Sequence, residues 1–162
     1  MIFVSAGTQF PFDRLIEMAD RLSQETGAEI VAQAIPGKYE PKNFELLGII
    51  PNGEYAQLLA KCDMVLAHAG MGVIISAMRE NKPIVVLPRL ASLGEHRNEH
   101  QTSTATHLGQ MGYVTVIDGY DRLKEYAANP ASAVSHSLDA EPPAELIDFL
   151  REQIEEAAHR PH

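Results

Sequence analysis

Short apolar runs alternate along the chain with longer stretches in which apolar residues return every three or four positions. Ile2 to Ser5, Ile30 to Ala34, Phe44 to Ile50, Met64 to Ala67 and Ile84 to Leu87 are runs of the first kind, each about as long as one buried strand. Tyr113 to Ile117 alternates apolar with polar and reads as a further strand. Helical spacing appears between them. Leu15, Ile16, Ala19 and Leu22 form a stripe within Phe12 to Glu25, and Tyr55, Leu58 and Leu59 do so within Gly53 to Lys61. Val73 to Arg79, His100 to Met111 and Asp121 to Ala128 have helical composition, and Leu146, Ile147, Leu150 and Ile154 mark a last amphipathic helix over Ala144 to Ala158. Gly27, Asn81-Lys82-Pro83 and Gly112 punctuate these elements, and Pro11 falls near the first turn of its helix, where a missing N–H costs nothing.

Strands alternating with helices predict an α/β fold, a Rossmann-like doubly wound sheet, mostly parallel and covered on both faces. Ligands of such sheets sit beyond the carboxyl ends of the strands, where the strand order reverses. The turns expected there are Gly7-Thr8, His68 to Gly72, and Arg89 to Gln101, so three polar motifs converge on one edge. The pattern divides the chain into an α/β ligand-binding domain over 1–128, a Ser-, Ala- and Pro-containing linker over 129–143, and a C-terminal helix and tail over 144–162.

Composition narrows the class. A hydrophobic content of 45% suits one globular domain of 162 residues, and no apolar stretch approaches the length of a membrane span. Met1 opens directly on a strand pattern without a basic leader, so no secretory signal is expected, and the single Cys62 reads as a small buried thiol in a reducing cytoplasm. Net charge is −9, of which −6 comes from Asp139 to Glu156, leaving the body near −3. Nucleic-acid binding needs a basic face, and adhesion to an anionic membrane needs basic clusters; the sequence carries neither. A membrane substrate would therefore be reached through a partner.

The densest chemistry lies between Asp63 and Gln101. His68-Ala-Gly-Met-Gly72 follows a buried strand and opens a helix. Glycines permit a sharp turn there, and the free N–H groups of the helix start favour an anion such as a diphosphate. Arg89 is a candidate for stacking on a planar base or pairing with phosphate. Gly7-Thr8 is either a ligand turn or a plain βα turn with Thr8 capping the next helix. Asp13 and Arg14 read as surface residues at a helix start. His96-Arg-Asn-Glu-His100 matches an inverted zinc-peptidase pattern. That pattern is short, however, and lacks a further ligand and a cleft of its own. Gly70-x-Gly72 is followed by Ile75 where a dinucleotide fingerprint needs a third glycine, which argues against NAD or FAD.

VSAGTQFPFDRL at the start, then HAGMG, KPIVVLPR and GEHRNEHQ, resembles the donor half of glycosyltransferase family 28 over about residues 1–117. Within it the chain is most similar to the small soluble subunits of two-part glycosyltransferases, which act in dolichol-linked chitobiose and bacterial exopolysaccharide synthesis. The resemblance implies the C-terminal half of a GT-B fold. It implies an inverting, UDP-sugar-dependent transferase active with a membrane-associated acceptor-binding subunit on a lipid-linked sugar. Location would be cytoplasmic, peripheral at the inner membrane through that partner. No cofactor and no metal are implied. Gly7 and Thr8 would lie near the donor diphosphate, and His68, Gly70, Met71 and Gly72 would wrap it. Glu95, Asn98, His100 and Gln101 would contact the donor, Gln101 at sugar hydroxyls. Ser76 stands where many members carry the acidic residue that holds the ribose, with Glu80 a possible substitute one turn later. The general base often belongs to the acceptor half; His68 and His96 are the candidates here. Two other functions fit the residues: a non-catalytic nucleotide-binding partner subunit, and a stand-alone sugar-nucleotide enzyme such as an epimerase.

Overall fold

A computed structural model describes residues 1–97, 100–137 and 144–158. Five parallel strands are β1 (Ile2–Gly7), β2 (Ile30–Ala34), β3 (Met64–Ala67), β4 (Ile84–Val86) and β5 (Thr115–Val116). The helices are α1 (Asp13–Thr26), α2 (Asn52–Lys61), α3 (Met71–Arg79), α4 (His100–Gln110), α5 (Tyr120–Ala128) and α6 (Ala144–Ala158). Strand order is β2-β1-β3-β4-β5, so the winding reverses between β1 and β3. The expected doubly wound α/β sheet is what the chain forms.

Period-two alternation sends successive strand residues to opposite faces. Val4, Leu66 and Val85 join one buried layer with Leu15, Leu22 and Leu123 from α1 and α5. Phe3, Val65 and Val86 join the other with Leu59, Ile74 and Leu108 from α2, α3 and α4. Leu146 of α6 is 3% exposed in this second layer, and Phe149 stacks on His107 of α4 with ring centroids 4.5 Å apart. The C-terminal helix therefore packs on its own domain, leaving Ile147 outward.

Two expectations are corrected. Phe44 to Ile50 is not a strand: it makes one isolated bridge, Leu46 to Ala32, before Gly48 turns into left-handed backbone at φ 63° and ends the pairing. The stretch expected as a linker from residue 129 is packed as far as Val134. Ala133 is buried, Ile84 N–H donates to the Val134 carbonyl at 3.0 Å, and Val134 N–H donates to Thr115 Oγ1 at 2.8 Å. Residues 138–143 lie outside the described ones.

The loop between β2 and α2 is pinned by a buried carboxylate. Asp20, 4% exposed, accepts hydrogen bonds from Tyr39 Oη at 2.8 Å and from the Lys42 and Asn43 backbone at 3.0 and 2.9 Å. Burial alone would raise its pKa, but these donors outweigh it and hold the carboxyl below its usual range. That anchor leads the chain from β2 to Ile50 and Asn52, which stand at the sheet's carboxyl edge.

Candidate functional site

A cleft of about 550 Å³ opens over the carboxyl ends of β1, β2 and β3, at the reversal of strand order. β1 reaches it irregularly: its register with β2 slips between Ser5 and Gly7, and Gly7 has φ 84°. Such a bulge turns the backbone out of the ladder and suits a rim position. Thr8 follows, exposed and lining the cleft. It does not cap α1, whose N-cap is Phe12 with no side-chain cap bond.

His68 occupies the floor. Its Nδ1 lies 3.1 Å from the Ser5 carbonyl, which can only accept, so Nδ1 carries the hydrogen and Nε2 presents a lone pair. Burial pushes its pKa down to about 4, against a smaller upward pull from the Ser5 carbonyl, with Arg89 and His96 adding to the depression. The imidazole is neutral at pH 7 and a poor proton acceptor there. That counts against His68 as the general base.

The two glycines behind the ring do different work. A Cβ on Gly70 would overlap the His68 imidazole, so this glycine makes room for a side chain of its own chain. A Cβ on Gly72 would meet nothing within 4 Å, and Gly72 lines the cleft. α3 begins at Met71 and its first intrahelical bond runs from Ile74 N–H to the Gly70 carbonyl at 3.2 Å. The N–H groups before it lack intrahelical acceptors and present a positive end to the cleft. Met71 itself turns to the apolar layer. Ser76 lines the cleft, with its hydroxyl donating to the Gly72 carbonyl at 2.8 Å. Glu80 lies past the far end of α3 and is not among the lining residues.

The loop after β4 closes the other side. Arg89, only 2% exposed, donates from Nη1 to the carbonyls of Pro11 and Glu95 at 2.6 and 3.1 Å. Its Nη2 donates to those of Ala6 and Phe10, both at 2.7 Å. The guanidinium also lies over the Phe12 ring at 4.4 Å. With both terminal nitrogens engaged, Arg89 braces the β1 exit loop against the β4 exit loop and is not free to stack on a base. Glu95 does not line the cleft. It makes a two-point ion pair with Arg14 at 2.7 and 2.8 Å and accepts the Leu90 N–H. Burial would raise its pKa; Arg14 and the Leu90 N–H lower it further, for a net downward shift. Arg14 is thus a buttress of the loop, not a loose surface residue.

Gln101 lines the cleft, and its Oε1 accepts the Arg89 backbone N–H at 3.2 Å. This fixes the amide, and among the described residues nothing takes the Nε2 hydrogens. His96 lines the same side, edge-on to Phe10 with centroids 6.2 Å apart. Asn98 and Glu99 lie outside the described residues, as does the side chain of His100.

Three polar residues missed in the motif reading complete the cleft. Gln33, 3% exposed at the end of β2, contacts Ser5 Oγ at 3.5 Å and the Gly7 carbonyl at 3.4 Å. Ser5 Oγ lies 3.2 Å from Tyr55 Oη of α2, whose ring meets Phe3 edge-on at 5.1 Å. A polar side chain near the end of an otherwise apolar strand, as at Ser5 and Gln33, is the signal that could have found them.

His68 ties stability to pH. Its pKa is 6.5 unfolded and about 4 folded, so the unfolded chain binds more protons between those values. The contribution is full above pH 6.5 and is lost as pH falls toward 4, about 2–3 kcal/mol in all after allowance for partial exposure. Urea midpoints measured from pH 7 to 4.5 should fall less steeply in His68→Gln than in the wild type. Equal slopes would contradict the buried neutral imidazole.

The chain matches the glycosyltransferase family 28 C-terminal domain over residues 1–127. It is 25% identical over 161 residues to the UDP-N-acetylglucosamine transferase subunit ALG13 of Eremothecium gossypii, covering 99% of this chain and 76% of that protein. Among solved structures, the solution structure of ALG13 superposes with a TM-score of 0.57 at 16% identity, over 89% of this chain and 92% of that one. The glycotransferase of kitacinnamycin superposes with a TM-score of 0.57 at 23% identity, over 80% of this chain and 35% of that one. SnogD from Streptomyces nogalater gives 0.53 at 20%, over 80% and 34%. The chain therefore spans about a third of the length of these last two glycosyltransferases.

Proposed function

This chain belongs to the glycosyltransferase family 28 C-terminal domain family, and on that premise we propose that it is the donor-binding subunit of an inverting transferase moving a sugar from a UDP-sugar to a lipid-linked acceptor. The observation that carries the reading is the cleft at the strand-order reversal with the open amino end of α3 at its wall. The diphosphate lies against the N–H groups before Ile74, where a helix dipole and unpaired donors stabilise negative charge. That charge grows as the sugar leaves, so the same donors favour the transition state over the bound ground state. Gln101, its Oε1 held by Arg89 N–H, offers its Nε2 hydrogens to sugar hydroxyls. Thr8, Gly7 and His96 border the same space; Asn98 and His100 are assigned to it from the sequence alone.

The acceptor and the general base come from a second, membrane-associated subunit. Among the described residues no helix is long and apolar enough to cross a membrane, and the part of the solved transferases that this fold matches is 35% and 34% of their length. The relative that is a UDP-N-acetylglucosamine transferase subunit makes that nucleotide-sugar the first donor to try.

UDP or UDP-N-acetylglucosamine is expected to raise the melting temperature, and NAD is not. Ligand at a hundredfold excess over Kd adds about 2.7 kcal/mol, or roughly 5–10 °C at this size. A shift with NAD and none with any uridine nucleotide would overturn the reading.

A further inference from the structure

We infer that Arg97, carried on the ring of Phe10, heads a second anion-binding subsite at the mouth of the cleft, which takes a carboxylate or phosphate that a substrate brings in addition to the nucleotide diphosphate. The inference rests on the donor-binding reading of the cleft and goes beyond it by naming a further charge on the substrate. It starts from an excess of cations. Three guanidiniums gather on the two aromatic rings of the β1 exit loop. Arg97 lies over Phe10 at 5.6 Å, and Arg89 and Arg14 lie over Phe12 at 4.4 and 5.4 Å. Like charges brought so close repel, and they do so here in a chain whose net charge is −9. Among the described residues Glu95 is the one carboxylate paired with any of the three. Asp13, beside Arg14 in sequence, turns to the next loop and accepts the Lys38 N–H at 3.1 Å. Three positive charges against one negative leave the group at +2.

The three cations are not equivalent. Arg14 gives its fork to Glu95 and the Pro88 carbonyl. Arg89 engages four carbonyls, which carry no net charge, and burial pulls its pKa down with Glu95 only partly opposing. It is a buried cation short of countercharge. Arg97 is exposed and is in no ion pair among the described residues. Its platform is fixed. Arg89 Nη2 holds the Phe10 carbonyl at 2.7 Å and Nη1 holds the Glu95 carbonyl at 3.1 Å, so one buried group sets both the ring and the loop that carries Arg97. His96 meets the same ring edge-on, and His96 and Phe10 both line the cleft. A guanidinium set on an aromatic ring keeps its in-plane N–H donors for a planar anion, which they can grip at two points. The amino end of α3 serves the diphosphate on the opposite side of the cleft, so Arg97 answers to a different charge. Two sources fit: an acid group on the donor sugar, and a phosphate on the acceptor.

The test is calorimetric titration of wild type, Arg97→Gln and Phe10→Leu with UDP, UDP-glucose and UDP-glucuronic acid. The last two differ only by a carboxylate in place of a hydroxymethyl group. A second arm titrates the UDP-saturated protein with geranyl diphosphate, a soluble lipid diphosphate, and melting temperatures check that every variant folds. If the donor sugar brings the charge, the wild type binds UDP-glucuronic acid about ten- to a hundredfold tighter than UDP-glucose. Arg97→Gln then binds the two within about twofold of each other, with its affinity for UDP unchanged. If the acceptor brings the charge, the two sugars bind alike, and geranyl diphosphate binds the UDP-saturated wild type but not Arg97→Gln. In either case Phe10→Leu should lose part of the effect, and a Phe10→Leu variant equal to the wild type overturns the role of the ring. A wild type with neither preference overturns the inference. So does an effect that survives Arg97→Gln, or an Arg97→Gln variant that weakens UDP itself as much; each of these leaves the donor-binding reading standing. Absence of UDP binding by folded wild type would overturn that reading, and this inference with it.

Discussion

Arg89→Met is expected to lower stability by about 3–5 kcal/mol, or roughly 10–15 °C in melting temperature, and to abolish donor binding. The guanidinium is the largest fully buried side chain of the described residues, and four carbonyls depend on it: Ala6, Phe10, Pro11 and Glu95. Methionine fills similar space without a donor, so those oxygens would stay buried and unpaired or drag their loops apart. Because Ala6 lies at the end of β1 and Phe10 and Pro11 in its exit loop, loosening them moves Gly7 and Thr8 at the cleft rim. Lysine should not rescue. Its ammonium is a point charge with three donors and cannot span the planar arrangement that the guanidinium holds. Thermal unfolding of Arg89→Met and Arg89→Lys beside the wild type decides it. A methionine variant melting within about 2 °C of the wild type would show that the loops are held by something else.

Arg89 also marks where sequence reading stops. Its place after a buried strand, in a loop rich in polar residues, was legible, and so was its approach to the cleft. Three of its four carbonyl partners were not, because they lie about 80 positions earlier, and backbone acceptors leave no trace in side-chain patterns. The same holds for Gly70. A glycine turn was legible from HAGMG, but that Gly70 serves the His68 ring is a tertiary contact. The first four strands of the sheet were readable because buried parallel strands are continuous apolar runs. Phe44 to Ile50 carries the same signal and fails, since Gly48 adopts a left-handed turn and only Leu46 pairs with β2. In the sequence Glu95 reads, through the family resemblance, as a donor contact, and Arg14 as a surface residue. Their mutual ion pair, across 81 positions, removes both from those roles.

Gly72→Asp gives the second large effect and the most direct test of the donor site. Gly72 has open space where a Cβ would stand, and its φ is not among the positive ones, so aspartate enters without strain. An acidic residue in the first turn of α3 favours the helix dipole by about 0.3–1 kcal/mol, and replacing glycine in a helix adds to this. The folded protein should therefore melt at the wild-type temperature or above it. The same carboxylate would project into the cleft at the wall proposed for the diphosphate. Like charges brought together in a binding site cost several kcal/mol, so affinity for UDP should fall about a thousandfold. Stability and binding move in opposite directions, which a general disturbance of the fold cannot imitate. The deciding measurement is calorimetric titration of wild type and Gly72→Asp with UDP, with both melting temperatures recorded. The wild type is expected to bind UDP tightly, and a Gly72→Asp variant that is at least as stable is expected to show no detectable binding; UDP affinity unchanged in that variant would place the diphosphate elsewhere and contradict the donor site at α3.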